Sequence, residues 1–151
     1  MGVGGNVGSN IMFNCFERER MVKSEELRLG NWVYDGDLTR FPMYVETIGE
    51  DYVYLNFDGN EGDVFESTPE ELQGIPLTGE LLEKIGFSYK DGLWRHMWGV
   101  KVKPEAGFVF IENKDKEHWM YGTATCKDVW CLHQLQNLVK IITKKDLKIE
   151  L

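Results

Sequence analysis

Cys126, Cys131 and His133 stand in a C-x4-C-x-H arrangement, three side chains able to hold zinc, with His118 as a conceivable fourth ligand. A structural zinc site joins two close ligand pairs, and the second pair is missing. Cys131 and His133 also project about 200° apart on a helix, to opposite sides. Cys131 is better read as a small buried hydrophobe, and no metal is expected. Asp58-Gly59-Asn60-Glu61-Gly62-Asp63 gathers oxygen ligands as a calcium loop does. An EF-hand, however, needs a ligand at position 5, Gly at 6 and Glu at 12, where Gly62, Asp63 and Pro69 stand. An acidic hairpin loop fits better. Pairing Cys15, Cys126 or Cys131 with His96, His118 or His133 would make a thiolate nucleophile, but no family signature surrounds any of them. Phosphate-binding, dinucleotide-binding, nucleophile-elbow and zinc-protease motifs are all lacking. A carboxylate pair such as Asp35 and Asp37 has hydrolytic chemistry, yet nothing in the sequence selects it. The chain reads as non-enzymatic and without a cofactor.

Trp94, Trp98, Trp119 and Trp130 crowd the second half together with His96 and Tyr121. Aromatics on strands can stack bases or grip peptides. Stacking platforms for nucleic acid come with a basic groove, and residues 81–138 sum to only +1. Alternation puts Trp94, His96 and Trp98 on one strand face, suited to packing beneath a helix.

The 151 residues carry 17 Lys+Arg and 25 Asp+Glu, a net charge of −8. From Glu25 to Glu80 there are 14 carboxylates against Arg28 and Arg40, giving −12; the remainder of the chain sums to +4. This balance makes direct nucleic-acid binding unfavourable, because phosphate affinity rests on Lys and Arg releasing counterions. It favours a cationic protein partner for the acidic half. Three cysteines without a secretory signal imply a reducing, cytoplasmic setting. No stretch reaches 18 apolar residues, so no membrane association is expected.

Elements able to position these residues begin near Leu27. Residues 32–34, 43–48, 52–57 and 64–66 alternate with the turns Asp35-Gly36-Asp37, Gly49-Glu50-Asp51 and Asp58 to Gly62. They predict a small antiparallel barrel of the Src-homology-3-like type, or a curved sheet, over about 27–66. Thr68-Pro69-Glu70-Glu71 reads as a capping box opening a short helix at 69–73. Thr78 caps a second at 79–85, with Leu77 and Leu82 as a hydrophobic staple and Gly86 just past its end. A second antiparallel region spans 87–122. Asp91-Gly92 marks a hairpin there, and Phe108 to Ile111 is expected to pair with Trp119 to Tyr121. A C-terminal amphipathic helix is predicted over 126–142, capped by Thr125 and Asp128. Cys131, Leu132, Leu135, Leu138, Val139 and Ile142 would face inward, with His133, Gln136, Asn137 and Lys140 as a polar stripe opposite. The fold class is α+β. Residues 1–24 read as a flexible extension, with Met21 a conceivable start, and 25–151 as one domain divided into an acidic part, 25–75, and a sheet with its helix, 76–151.

LRLGNWVY at 27–34, GIPLTGELLEKIGF at 74–87 and HQLQNL at 133–138 resemble an uncharacterised family of small proteins from phages and mobile elements of Bacteroides-type gut bacteria. The resemblance covers roughly residues 25–142 and implies an accessory protein in the bacterial cytoplasm. It supplies no catalytic or ligand-binding residue. The leading functional expectation is a protein-binding module acting through Asp35, Asp37, Glu61 and Asp63, joined by the stripe of His133, Gln136 and Asn137. Alternatives are a small-molecule or nucleotide binder using the aromatic second half, and a nucleic-acid mimic that occupies a host defence protein.

Overall fold

A strand with a period of two can be covered on both faces only if its alternate residues suit two different neighbours, and Trp32-Val33-Tyr34 meets that condition. The structure, a computed structural model, describes residues 22–36, 40–113 and 122–151. Its first sheet contains β1 (Trp32–Tyr34), β2 (Pro42–Ile48), β3 (Val53–Asn56), β4 (Phe65–Ser67) and β5 (Gln73–Gly74), in the order β4-β3-β2-β1-β5. Val33, Met43, Val45, Val53 and Leu55 point to one side, where Val22, Leu27 and Leu72 complete a core. Trp32, Tyr34 and Tyr44 point the other way, into a second and larger core. The sheet is antiparallel throughout, and a bulge between Val45 and Thr47 bends β2.

The first half departs from the expected plan in three places. β4 and β5 are opposite edges of an open sheet, so a curved sheet stands where a closed barrel was one of two expectations. The helix expected at 69–73 is a 3-10 turn, Pro69–Glu71, and the Thr68 side chain makes no capping bond. The chain leaves helical geometry there because Leu72 enters the first core and Gln73-Gly74 pairs with Tyr34 and Val33. The extension drawn to residue 24 is too long: Val22 is buried in the first core. Residues 1–21, including Met21, lie outside the described residues.

Helix α1 (Gly79–Lys84) begins where Thr78 Oγ1 accepts from the Leu81 amide at 3.2 Å, and Leu77 and Leu82 are both buried. The second sheet follows: β6 (Ser88–Lys90), β7 (Leu93–Arg95), β8 (Val100–Lys103), β9 (Phe108–Asn113) and β10 (Gly122–Cys126), in the order β10-β9-β8-β7-β6. Asp91 and Gly92 both have positive φ and form the tight β6–β7 turn, as their types require. The stretch from Trp94 to Val102 is two strands. His96 donates its amide to Val100 O, Gly99 donates to His96 O, and Gly99 takes φ +77°, closing a hairpin over Met97 and Trp98. β9 pairs with β10 through Cys126↔Val109, and the partner strand expected at 119–121 falls outside the described residues.

The C-terminal helix, α2 (Leu132–Thr143), starts six residues later than expected. Thr125 is paired in β10, Asp128 takes φ +60°, and Cys131 is held extended in a bridge to Pro76. There Leu77 N donates to Trp130 O and Leu132 N to Ile75 O. The cap comes instead from Gln134, whose Oε1 accepts from the Trp130 and Cys131 amides at 2.9 and 3.1 Å. Leu132, Leu135 and Val139 pack with Val100, Val102, Val109 and Ile111 in the second core. Each of these side chains contributes about 1.5–3 kcal/mol by leaving water.

Gly99 and Gly59 separate two costs of adding a methyl group. Both have strongly positive φ, but a Cβ on Gly99 would collide with the backbone carbonyl of Glu112, whereas one on Gly59 would meet nothing. Gly99→Ala is expected to destabilise the fold by about 3 kcal/mol or more and Gly59→Ala by about 1 kcal/mol. Urea denaturation midpoints would show this, and equal losses would contradict it.

Candidate functional site

Three residues of the α2 polar stripe, His133, Gln136 and Asn137, turn toward residues 26–32, whereas Lys140 is exposed. Residues 28–31 form a turn in which Gly30 takes φ +86° and the Arg28 amide donates to Asn31 Oδ1 at 2.8 Å. This turn lies along α2. Gln136 Oε1 accepts from the Trp32 amide at 2.8 Å, and its Nε2 donates to Gly30 O at 3.1 Å. Asn137 Oδ1 accepts from Asn31 Nδ2 at 2.9 Å, and its Nδ2 donates to Glu26 O at 2.6 Å. His133 is fully buried, with Nε2 3.3 Å from Glu26 Oε2. A carboxylate can only accept, so the shared proton sits on Nε2; Nδ1 is buried with no hydrogen-bond partner among the described residues. Of the seven residues expected to bind a partner, these three are engaged inside the chain. Their expected solvent exposure is corrected by the 26–32 segment that covers them.

The acidic residues fall together. β1 ends, β2 begins, β3 ends and β4 begins at the same end of the first sheet, because Tyr34 pairs with Pro42, Tyr44 with Asn56, and Leu55 with Phe65. The β1–β2 loop therefore brings Asp35 to the end where the β3–β4 loop presents Asp58, Glu61 and Asp63, all three exposed. Asp37 lies outside the described residues. Asn60 shapes the second loop: its side chain bonds Asn56 Oδ1, Asp63 O and the Gly62 amide. Among the described residues, no ion pair neutralises these carboxylates, and Arg40 is the cation at this end.

Three phenylalanines that sequence reasoning did not single out occupy the same end. Phe41 is 45% exposed and Phe65 42%. Phe57 sits between them, meeting Phe41 edge-on at a centroid distance of 5.2 Å and Phe65 at 6.1 Å. The first contact joins the two loops. A large apolar residue at each loop boundary, inside a strongly acidic stretch, was the available signal.

In the second half, Trp94 rests on Gly79 of α1, where an added Cβ would come within 2.8 Å of its ring. His96 is packed between Phe87 and Trp98, with Nδ1 lacking a hydrogen-bond partner among the described residues, and burial lowers its pKa. Trp94 and Trp98 border the second core instead of forming an open platform. Among the described residues, no three His, Cys, Asp or Glu side chains gather as a metal site, and no helix is long and apolar enough to cross a membrane. Comparison with protein-family models, curated proteins and solved structures returns no match.

Two consequences follow for the α2 contacts. Gln136→Ala leaves the buried Trp32 amide without an acceptor and should lower stability by about 1–3 kcal/mol, read from urea midpoints; an unchanged midpoint would show that the bond is dispensable. Glu26 ionises below its ordinary value of 4.5, chiefly because His133 donates a hydrogen bond to it, with burial opposing. The unfolded chain thus takes up this proton at higher pH than the folded one, so the stabilisation is complete above about pH 4.5 and fades in stronger acid. Melting temperatures between about pH 5 and 3 should fall more steeply for wild type than for Glu26→Gln. Parallel curves would refute the assignment.

Proposed function

We propose that this chain is a non-enzymatic protein-binding module that takes a cationic protein segment at the loop end of its first sheet. The carrying observation is the Phe41–Phe57–Phe65 cluster, partly open to solvent and set among Asp35, Asp58, Glu61 and Asp63. An exposed aromatic group inside a charged rim is the composition of a binding patch. The rings supply affinity once desolvated, and the rim steers and selects a partner of opposite sign. The strand order, with a 3-10 turn before a short fifth strand, supports a Src-homology-3-like reading of this half. The resemblance of the three sequence motifs supports the setting, an accessory protein of a phage or mobile element in the bacterial cytoplasm.

The test is capture from bacterial lysate by wild type, by Phe41→Ser/Phe65→Ser and by Glu61→Lys/Asp63→Lys. A discrete partner should be held by wild type, lost from both variants, and weakened about tenfold when salt rises from about 0.05 to 0.5 M. A partner retained equally by all three proteins would sink the proposal.

A further inference from the structure

On the opposite side of the Gln136 and Asn137 contacts lies a cleft of about 610 Å³, between the 28–32 turn, the C-terminal half of α2 and residues 146–149. This volume is that of a small-molecule site, at a junction between two packed units where such sites concentrate. Part of its wall is apolar and open: Leu29 is 67% exposed and Ile141 68%, with Trp32 and Ile149 further in. Gln136 and Asn137 each bond residues 26–32 through one donor and one acceptor. They form a polar floor, held in place by these bonds.

The charges at the cleft differ in availability. Lys140 Nζ lies 3.1 Å from Asp146 Oδ2, so those two offset one another. Arg28 has no carboxylate partner among the described residues, and Glu25, its neighbour in sequence, meets it only through a backbone oxygen. Nη1 of Arg28 donates to Glu25 O and Leu27 O at 2.9 Å, which holds the guanidinium in place and leaves Nη2 and Nε for another acceptor. A held guanidinium with donors to offer a two-oxygen acceptor, beside exposed aliphatic side chains, is complementary to one chemical class.

We infer that the cleft binds an amphipathic organic anion, its carboxylate on Arg28 and its hydrocarbon body between Leu29 and Ile141. The inference is independent of the acidic loop end, which shares none of these residues. The probe is decanoate, with 1-decanol and decylammonium as uncharged and oppositely charged comparisons, titrated below their micelle concentrations into isotopically labelled protein. Decanoate should saturate at one site and shift the amide signals of Gly30, Gln136 and Asn137. It should bind about tenfold more tightly than either comparison. Arg28→Gln should remove that advantage while leaving decanol binding unchanged, Arg28→Lys should keep part of it, and Ile141→Ser should weaken decanoate and decanol alike. Phe65→Ser should alter none of these values. Absence of saturable binding, equal binding of decylammonium, or decanoate binding indifferent to Arg28→Gln would each overturn the inference. So would shifts at these amides on raising protein concentration alone, which would assign the cleft to a second copy of the chain.

Discussion

Backbone polar groups that turn away from their own sheet must be satisfied elsewhere, and for Glu26 O, Gly30 O and Trp32 N the partners are two side-chain amides, Gln136 and Asn137. Each amide donates once and accepts once. The geometry fixes the height, rotation and direction of α2 against β1, because a helix displaced by one residue would present Leu135 or Leu138 where an amide is required. Most of what lies beyond depends on that placement: the covering of Trp32 by the second core, the burial of His133 against Glu26, and the cleft walled by Ile141.

The segments LRLGNWVY, GIPLTGELLEKIGF and HQLQNL meet around this contact. Asn31 and Trp32 from the first bond Asn137 and Gln136 from the third. The second contributes Gly74, paired with Val33, and Ile75 to Leu77, hydrogen-bonded to residues 130–132. Motifs that look like a functional signature are here the parts that fasten one sheet to the other. The solvent-facing groups with chemistry to offer, Phe41, Phe65, Arg28 and Ile141, lie outside or at the margin of the bonded core of those motifs.

Local pattern made the strands, the Asp91-Gly92 turn and the Thr78 cap legible, since each is decided by residues within one turn of chain. The start of α2 was hidden. Thr125 and Asp128 form a sound local cap, but β10 claims Thr125 and the 75–77 segment claims Cys131, both through pairings distant in sequence. The short helix at 69–73 was lost for the same reason. The acidic stretch was legible because charge accumulates along the chain, whereas the Phe41–Phe57 contact was not, because it exists only once two loops are brought to one end. His133, Gln136 and Asn137 were correctly seen as one polar face. What lay across that face was a segment more than 100 residues earlier, which periodicity does not report.

That separation also orders events in time. The hydrogen bonds joining Gly30, Asn31 and Trp32 to α2 span 104 to 106 positions, whereas every strand pairing of the first sheet closes within residues 32–74. During synthesis the first sheet has all its own partners long before α2 is made, and for that interval Trp32 and Tyr44 lack the cover of the second core. Completion therefore waits on a loop closure of nearly the whole domain, a slow step by the standard of local contacts. The half-finished chain thus carries an aromatic face that the finished protein largely covers.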